Sequence, residues 1–230
     1  MSCIFVVPTP IGNLKDITLR ALECLKTVDC IYAEDTRITK KLLSHYTIKK
    51  PMYTYHQHNE HKITTTLINN ILNNNLSVAI VSDAGTPLIS DPGYLLINNA
   101  KKAGIEIICL PGATAFVPAL VQSGFSTDEF YFAGFLPHKK GRQKRLDMLL
   151  QINSTIVLYE SPHRVIKLLN ELNDKIKETR MLSISREITK IHEENKRGTA
   201  KELLDYFSQN KIKGEFVVLI DKPSKNKLNV

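Results

Sequence analysis

Short apolar runs alternate with amphipathic segments through the first half of the sequence, and this alternation restricts the fold more than any other feature. Four runs rich in β-branched residues are predicted to be strands: Ile4–Val7, Cys30–Ala33, Val78–Val81 and Ile105–Leu110. Helices are predicted between them: one capped by Asp16, one beginning near Thr36, and two over residues 60–74 and 93–102. Because several of these strands are apolar on both faces, as in a parallel sheet covered on two sides, the first half is predicted to be α/β.

A second α/β unit is predicted after residues 111–119, where two prolines and a glycine interrupt the alternation. Its predicted strands are Phe130–Ala133, Thr155–Tyr159, Leu182–Ser185 and Phe216–Ile220. Thr199 and Glu202 have the spacing of a capping box at a helix start. We therefore expect a first domain over residues 1–112, a second over residues 113–222 and a tail over residues 223–230.

The composition excludes several classes of protein. With 43% apolar and 23% charged residues the chain is globular and not extensively disordered. No apolar run approaches the roughly 20 residues of a membrane-spanning helix, and the N-terminus lacks a signal-peptide pattern, so we expect a cytoplasmic protein without a membrane segment. The four cysteines form no CxxC pair and predict neither a zinc knuckle nor a disulfide framework. A net charge of +8 favours a polyanionic partner such as nucleic acid.

The glycines exclude the commonest nucleotide-binding loops. No two of the ten glycines are separated by a single residue, so the sequence has no GxGxxG fingerprint, and it has no Gly-Lys pair of a P-loop. The GxSxG turn of α/β hydrolases is also missing. An α/β chain of this kind needs another type of ligand loop.

Two candidate ligand loops directly follow predicted strands. Pro8–Leu14 is stiffened by two prolines, and Ser82–Pro87 combines small residues with Asp83. The carboxyl ends of parallel strands line the binding crevice of an open sheet, so both loops are expected at that edge. Rigid turns that bind nothing are the alternative interpretation.

Charged groups mark three further segments. Glu34, Asp35 and Arg37 follow the second strand and could orient a hydroxyl or take its proton, or could simply form a helix N-terminus. The histidine-rich segment 56–61 lacks a matching fourth metal ligand, so we expect a polar substrate-facing loop and no metal site. Five cations, which either contact phosphates or form a solvated helix face, lie within seven residues: Lys139, Lys140, Arg142, Lys144 and Arg145.

Seven segments occur in an order that resembles one known family: Val7–Asn13, Ala33–Arg37, Tyr55–His56, Ser82–Pro87, Leu110–Thr114, Tyr159–Arg164 and Ser185–Lys190. The family is the ribosomal RNA small subunit methyltransferase I family of the tetrapyrrole methylase superfamily, and the resemblance extends over residues 4–221. It implies two α/β domains of the tetrapyrrole methylase type with S-adenosylmethionine in the cleft between them. It also implies a homodimer and 2′-O-methylation of a cytidine in the 16S rRNA of the small ribosomal subunit.

The resemblance also implies roles for individual residues. Pro8 would flank the methyl group, and Asp83, Ala84 and Gly85 would contact the methionine part of the cofactor. Six further residues match segments that close around the adenosine: Thr114, Ala115, Tyr159, Glu160, Gly214 and Glu215.

A ribose hydroxyl is a poor nucleophile until it begins to lose its proton, so a general base is expected. The candidates are Glu34, Asp35, Glu160 and Glu187, and the sequence does not choose among them. Arg37, Arg164 and Lys190 are expected to hold phosphate or carboxylate groups, with Arg164 on the RNA.

Members of the family often continue into a small C-terminal helical domain, whereas this sequence ends at Val230. We therefore expect the segment 139–145 to carry a larger share of RNA binding. Two other functions stay open: methylation of a tetrapyrrole or of a modified protein histidine, and RNA binding without catalysis. The intact Ser82–Pro87 loop argues against the second. The sequence does not distinguish free RNA from an assembling or a mature subunit as substrate.

Overall fold

The computed structural model describes residues 2–176, 180–209 and 212–223. The chain separates into two compact units, Met1–Thr114 and Ala115–Val230. Both units combine a sheet with helices, so the predicted α/β class is confirmed. Most of the predicted tail, residues 224–230, lies outside the described residues.

The first unit is built on a parallel sheet with strand order β3-β2-β4-β1-β5. Its elements in chain order are β1 (Cys3–Val6), α1 (Leu19–Thr27), β2 (Cys30–Ala33), α2 (Thr36–His45), β3 (Met52–Thr54), α3 (Glu60–Asn74), β4 (Ser77–Val81), α4 (Tyr94–Lys102) and β5 (Glu106–Cys109). Because side chains alternate along a strand, the buried sheet residues divide between two apolar clusters. One cluster joins Ile4 and Val78 to α3 and α4, and the other joins Ile31 and Ala79 to α1 and α2.

In this unit one local prediction was wrong and one strand was not predicted. Asp16 ends a short 3-10 turn over Leu14–Asp16, and Thr18 caps α1 instead by accepting a hydrogen bond of 3.1 Å from the Ala21 N–H. Thr18 has the extended backbone that a capping residue needs. Strand β3 was not predicted, because it is a three-residue edge strand whose side chains are largely exposed.

The second unit contains a mixed sheet with strand order β6-β7-β10-β8-β9. Its elements are α5 (Phe116–Ser123), β6 (Phe130–Phe135), α6 (Arg142–Leu150), β7 (Thr155–Glu160), α7 (Val165–Ile176), β8 (Leu182–Arg186), β9 (Glu194–Gly198), α8 (Ala200–Ser208) and β10 (Phe216–Ile220). Strands β6 and β7 are parallel, and the other neighbouring pairs are antiparallel. The main core lies between the sheet and α6, α7 and α8.

The ends of the second unit's elements follow local sequence rules. The capping box of Thr199 and Glu202 at the start of α8 is confirmed, with both reciprocal hydrogen bonds present. Strand β9 was not predicted, because its sequence, Glu-Asn-Lys-Arg-Gly, has no apolar alternation. It pairs with β8 as an edge strand. In the described part of the chain, no helix is both long and apolar enough to cross a membrane.

Candidate functional site

The parallel sheet of the first unit places five predicted motif segments at one edge. Since all its strands run in the same direction, their carboxyl ends meet there. The segments that follow the strands at this edge are Pro8–Asn13, Glu34–Arg37, Tyr55–His56, Ser82–Pro87 and Pro111–Thr114. We call this edge the acidic edge, because the carboxylates of Glu34, Asp35, Asp83 and Asp91 lie along it.

Asp83 joins the ends of two neighbouring strands. Its Oδ1 accepts a hydrogen bond of 3.0 Å from the Asp35 N–H after β2, and its own N–H donates to Glu34 Oε2 at 3.4 Å. Burial raises the pKa of Asp83, although the bond from Asp35 acts in the opposite direction. The position of Glu34 relative to the Ser82–Pro87 loop is thus fixed by a pair of crossed hydrogen bonds.

The loop after β1, which contains Pro8 and Pro10, is hydrogen-bonded to the Ser82–Pro87 loop. Thr9 and Gly85 exchange two backbone hydrogen bonds of 2.9 Å, and Thr9 Oγ1 donates to the Ser82 carbonyl at 3.1 Å. Gly85 has a φ of +82°, which a residue with a side chain adopts only with strain. A Cβ on Gly112 would lie 2.6 Å from Pro8 Cβ, so the segment after β5 also needs its glycine. Pro8 is therefore held rigidly beside the loop.

Glu34 and Asp91 are carboxylic acids with raised pKa values. Burial is the main cause of the rise for Glu34, and the negative charge of Asp83 adds to it. Burial and the neighbouring Glu34 raise the pKa of Asp91 to about 6. Asp91 was missed by sequence reasoning, because it reaches this edge through a chain reversal in which Leu88 and Ser90 have positive φ angles of 72° and 68°.

Asp35 and Arg37 form an exposed ion pair. Arg37 Nη2 lies 2.6 Å from Asp35 Oδ2, and the Arg37 N–H donates to Asp35 Oδ1 at 2.8 Å, so Asp35 also caps α2. Hydrogen bonds from Arg37 lower the pKa of Asp35 to about 2. A carboxylate with so low a pKa is a weak base, whereas the Arg37 side chain is 87% exposed and accessible to an anion.

Glu160 belongs to a buried ionic cluster of the second unit, together with Arg142, Arg164 and Glu171. Arg142 donates through Nε to both carboxylate oxygens of Glu171 and through Nη1 and Nη2 to Glu160 Oε2 at 3.2 Å. Arg164 Nε lies 2.9 Å from Glu160 Oε1. The cluster thus connects the start of α6 to β7 and α7.

This cluster corrects three expectations. Arg142 was predicted to contact RNA phosphates, but its side chain is 2% exposed and paired with two carboxylates. Arg164 was predicted in the same role, but it is largely buried on Glu160 and on the Leu136 carbonyl. Glu160 was a candidate base, but its side chain is fully buried and ion-paired with the guanidinium groups of Arg142 and Arg164, so its carboxylate is not accessible to a substrate hydroxyl.

Glu187 lies in a second charged cluster of the same unit. Its Oε1 accepts hydrogen bonds from Lys190 Nζ at 2.9 Å and from the Glu215 N–H at 3.0 Å, and Lys190 also contacts Glu215 Oε2 at 2.9 Å. Burial acts to raise the pKa of Glu187, but these two hydrogen bonds outweigh it and lower the pKa. Gly214 is required beside it, since a Cβ there would lie 2.4 Å from Glu187 Cδ.

The remaining predicted residues lie at element ends and on the surface. Thr114 ends the first unit, Ala115 precedes α5, and the Tyr159 ring contacts Phe132 and Phe135. The side chains of Lys139, Lys140 and Lys144 are exposed, and the Arg145 guanidinium lies over the Tyr131 ring, 5.7 Å from its centroid. In residues 2–176, 180–209 and 212–223, no group of three or more His, Cys, Asp or Glu side chains could hold a metal ion.

Comparisons with known proteins identify the family of the chain. Residues 4–204 match the family of Tetrapyrrole (Corrin/Porphyrin) Methylases. The chain is 47% identical to the ribosomal RNA small subunit methyltransferase I of Synechocystis sp., covering 100% of this chain and 85% of that protein. It is 43% identical to the protein of the same name from Thermotoga maritima, covering 96% of this chain and 98% of that protein.

Solved structures share the fold at low sequence identity. A diphthine synthase superposes with a TM-score of 0.72 at 13% identity, covering 96% of this chain and 90% of that one. The uroporphyrin-III C-methyltransferase of Thermus thermophilus, solved with S-adenosylhomocysteine, gives a TM-score of 0.65 at 15% identity, with coverages of 95% and 97%. At these identities the likeness shows a common fold.

Proposed function

The chain belongs to the tetrapyrrole methylase family, and we propose that it is the S-adenosylmethionine-dependent enzyme that methylates the 2′-hydroxyl of a cytidine in 16S rRNA of the small ribosomal subunit. The observation that carries the proposal is the acidic edge, where Asp83 fixes Glu34 beside a rigid small-residue loop. The relatives named as small subunit methyltransferases match nearly the whole chain, and both units of the fold are included in the match.

The residues of the acidic edge fit S-adenosylmethionine. Its sulfonium and ammonium groups are cations, and the half-buried carboxylates of Glu34 and Asp83 supply a negative field at the end of the sheet. Pro8, Ala84 and Gly85 leave little side-chain bulk, so backbone groups can approach a ligand closely. The bound cofactor supplies an electrophilic methyl group whose transfer releases a neutral thioether.

The second unit is proposed to contribute the adenosine contacts that the family resemblance implies. Those residues are Ala115, Tyr159, the backbone of Glu160, Gly214 and Glu215, with Thr114 at the end of the first unit. Gly214 and Glu215 are held in place by Glu187 and Lys190. The tight packing at Gly214 supports a preformed binding segment, because a side chain there would displace Glu187.

We propose Glu34 as the general base. The candidate carboxylates differ in environment: Asp35 and Glu187 have lowered pKa values, and Glu160 is enclosed by two arginines. Glu34 is the member of the set whose pKa is raised, and a base with a pKa nearer neutrality accepts a proton more effectively. In the reaction the ionised Glu34 takes the 2′-hydroxyl proton as the oxygen attacks, and later releases that proton to water.

The test is labelled-methyl transfer from S-adenosylmethionine to free 16S rRNA, to assembling subunits and to mature small subunits, followed by nucleoside analysis. We expect 2′-O-methylcytidine in at least one of these RNAs. Asp83→Ala, which is expected to bind S-adenosylmethionine more weakly, should transfer less label. Label in a tetrapyrrole or a protein histidine would contradict the RNA substrate. Saturable RNA binding without binding of S-adenosylmethionine would identify an inactive RNA-binding protein.

A homodimer is proposed from the family resemblance, and light scattering of the purified protein tests it. Twice the chain mass of 26.0 kDa is the expected result, and the chain mass alone would contradict it. A cytoplasmic location follows from the proposed ribosomal substrate. Fractionation of cells with an antibody against the chain tests that location.

A further inference from the structure

Strand β6 carries a row of aromatic side chains along an open edge of the second sheet. Its sequence contains Phe130, Tyr131, Phe132 and Phe135, and β6 has one strand neighbour, β7, in the described part of the chain. Phe130 is 42% exposed and Phe135 is 51% exposed. Exposed side chains of this size on an edge strand lower the solubility of a protein and favour contact with a partner.

A bulge brings three of these rings to the same face. The register of β6 with β7 shifts between Phe132 and Gly134, so Ala133 is the additional residue. Without this shift, Phe135 would point to the opposite face from Phe130 and Phe132, because side chains alternate along a strand. With the shift, Phe135 is the register partner of Tyr159 and Phe132 is the register partner of Val157. Val157 and Tyr159 are two residues apart in β7, so Phe132 and Phe135 lie on the same face.

The rings form a continuous contact series on this face. Phe116 of α5 lies 6.1 Å from Phe130 and 4.8 Å from Phe132, measured between ring centroids. Tyr159 lies 5.1 Å from Phe132 and 5.6 Å from Phe135. Phe135, at the end of the series, is therefore supported on one side by Tyr159 and is half exposed on the other. We call these five rings the aromatic row.

The end of the aromatic row is followed in the chain by residues 139–145, which we call the basic segment. Lys139 follows Phe135 by four residues, a chain length of at most about 14 Å. Residues 135–146 contain no acidic side chain, and Asp147 beyond them is paired with Lys175 at 2.6 Å. Asp128 and Glu129 lie before the other end of β6. The Phe135 end therefore combines an exposed ring with Lys139, Lys140 and Lys144.

We propose that Phe135 stacks on an unpaired base of the RNA while Lys139, Lys140 and Lys144 contact the adjoining phosphates. Aromatic platforms beside a track of cations are how proteins bind single-stranded nucleic acid. The inference rests on the proposed RNA substrate and adds which part of it the second unit recognises: a single-stranded segment whose base is free to leave its helix. The positive charge at this end of the row favours RNA over a second copy of this basic chain.

The test distinguishes contacts with the RNA base from contacts with its phosphates. Binding is measured by fluorescence anisotropy, without cofactor, for a single-stranded RNA oligonucleotide and for an abasic oligonucleotide with the same number of phosphates. Phe135→Ala should weaken binding of the base-bearing RNA by about 5- to 100-fold and leave the abasic oligonucleotide unchanged. Neutralising Lys139 and Lys140 should weaken binding of both.

Three further variants control for folding and for general surface effects. Phe135→Leu keeps apolar bulk but lacks a ring, so it should lose binding as Phe135→Ala does, and Phe135→Tyr should retain it. Tyr53→Ala removes a ring that is 52% exposed on edge strand β3 and should bind as the wild type. Thermal unfolding verifies that each variant is folded.

Several results would overturn the proposal. Wild-type affinity of Phe135→Leu for the base-bearing RNA would show that the ring binds no base. Lost affinity for S-adenosylmethionine would assign the ring to the adenine of the cofactor. A changed oligomeric state with unchanged RNA affinity would assign the row to contact with a second copy. Failure of the proposed function would appear separately, as absent methyl transfer by the wild type.

Discussion

Asp83 accepts a hydrogen bond of 3.0 Å from the backbone N–H of Asp35, 48 residues earlier in the chain, and this bond joins the carboxyl ends of β2 and β4. In Asp83→Ala the bond is lost, so we expect a stability loss of about 1 kcal/mol and weaker binding of S-adenosylmethionine. Asp83→Asn retains an oxygen acceptor but removes the charge. Calorimetry should therefore show weaker cofactor binding for both variants, with the stability loss confined to alanine. Unchanged affinity in both would remove Asp83 from the cofactor site.

Glu34→Gln tests the general base. Glutamine keeps the oxygen that accepts the Asp83 N–H bond but cannot take a proton, so kcat at saturating cofactor should fall by about 10²- to 10⁴-fold while RNA affinity holds. Cofactor affinity should weaken, because the substitution also removes a negative charge from the acidic edge. Because the pKa of Glu34 is raised, wild-type activity should fall as the pH is lowered, and the fall should begin at a pH above the usual pKa range of glutamate. Glu187→Gln is the comparison variant and should show the same loss of activity at acid pH as the wild type. An unaltered kcat in Glu34→Gln would exclude the role.

The sequence predicts only part of the strands and loops that position these side chains. The boundaries of β2 and β10 agree with prediction because both are apolar runs bounded by polar residues. The loops at the carboxyl ends of β1 and β4 were placed correctly, since a parallel sheet brings such ends to one edge. Strand β9 has no hydrophobic pattern, and its pairing with β8 depends on neighbours that are distant in sequence.

Long-range contacts account for the misassigned charges. Arg142 has basic neighbours in sequence, and a run of cations indicates a surface; only the approach of α7 and β7 provides Glu171 and Glu160 to bury it. Asp91 has no distinctive spacing, and its proximity to Glu34 arises from the reversal at Leu88 and Ser90. The aromatic row depends on the bulge at Ala133, which an alternation of apolar residues does not reveal.

The raised pKa of Asp91 predicts a pH-dependent stability. Its folded value of about 6 exceeds the ordinary 3.8, so folding favours the protonated form. Stability should fall as the pH rises from about 4 to about 6, and the full penalty of ionising the group applies above about pH 6. Asp91→Asn should therefore be more stable than the wild type by about 1–3 kcal/mol at pH 8 and nearly equal to it at about pH 3, below both pKa values. Urea unfolding at both pH values measures this. Asp205→Asn, at an exposed position of α8, should show no such difference, and a pH-independent gain in Asp91→Asn would contradict the assignment.

Activity should not depend on a metal ion. The reaction proposed for Glu34 needs a base and an aligned methyl donor, and the histidines at positions 56, 58 and 61 were expected to lack a matching ligand set. Methyl transfer should survive exhaustive dialysis against a chelator. Loss of activity that zinc alone restores would contradict this expectation.

Neutralising the exposed lysines of the basic segment should change the salt dependence of RNA binding, whereas neutralising the buried Arg142 should change the stability of the fold. Each phosphate contact to a single strand contributes about 0.7 to the slope of log affinity against log salt, so Lys139→Gln, Lys140→Gln and Lys144→Gln together should flatten the slope by about 2. Such contacts position the RNA without forming the cofactor pocket, so affinity for S-adenosylmethionine should stay unchanged. Arg142→Gln should leave the slope unaltered but destabilise the fold by about 3–5 kcal/mol, because Glu160 and Glu171 lose their buried partner. A wild-type slope in the triple variant would show that the lysines form only a solvated surface and that the RNA binds elsewhere.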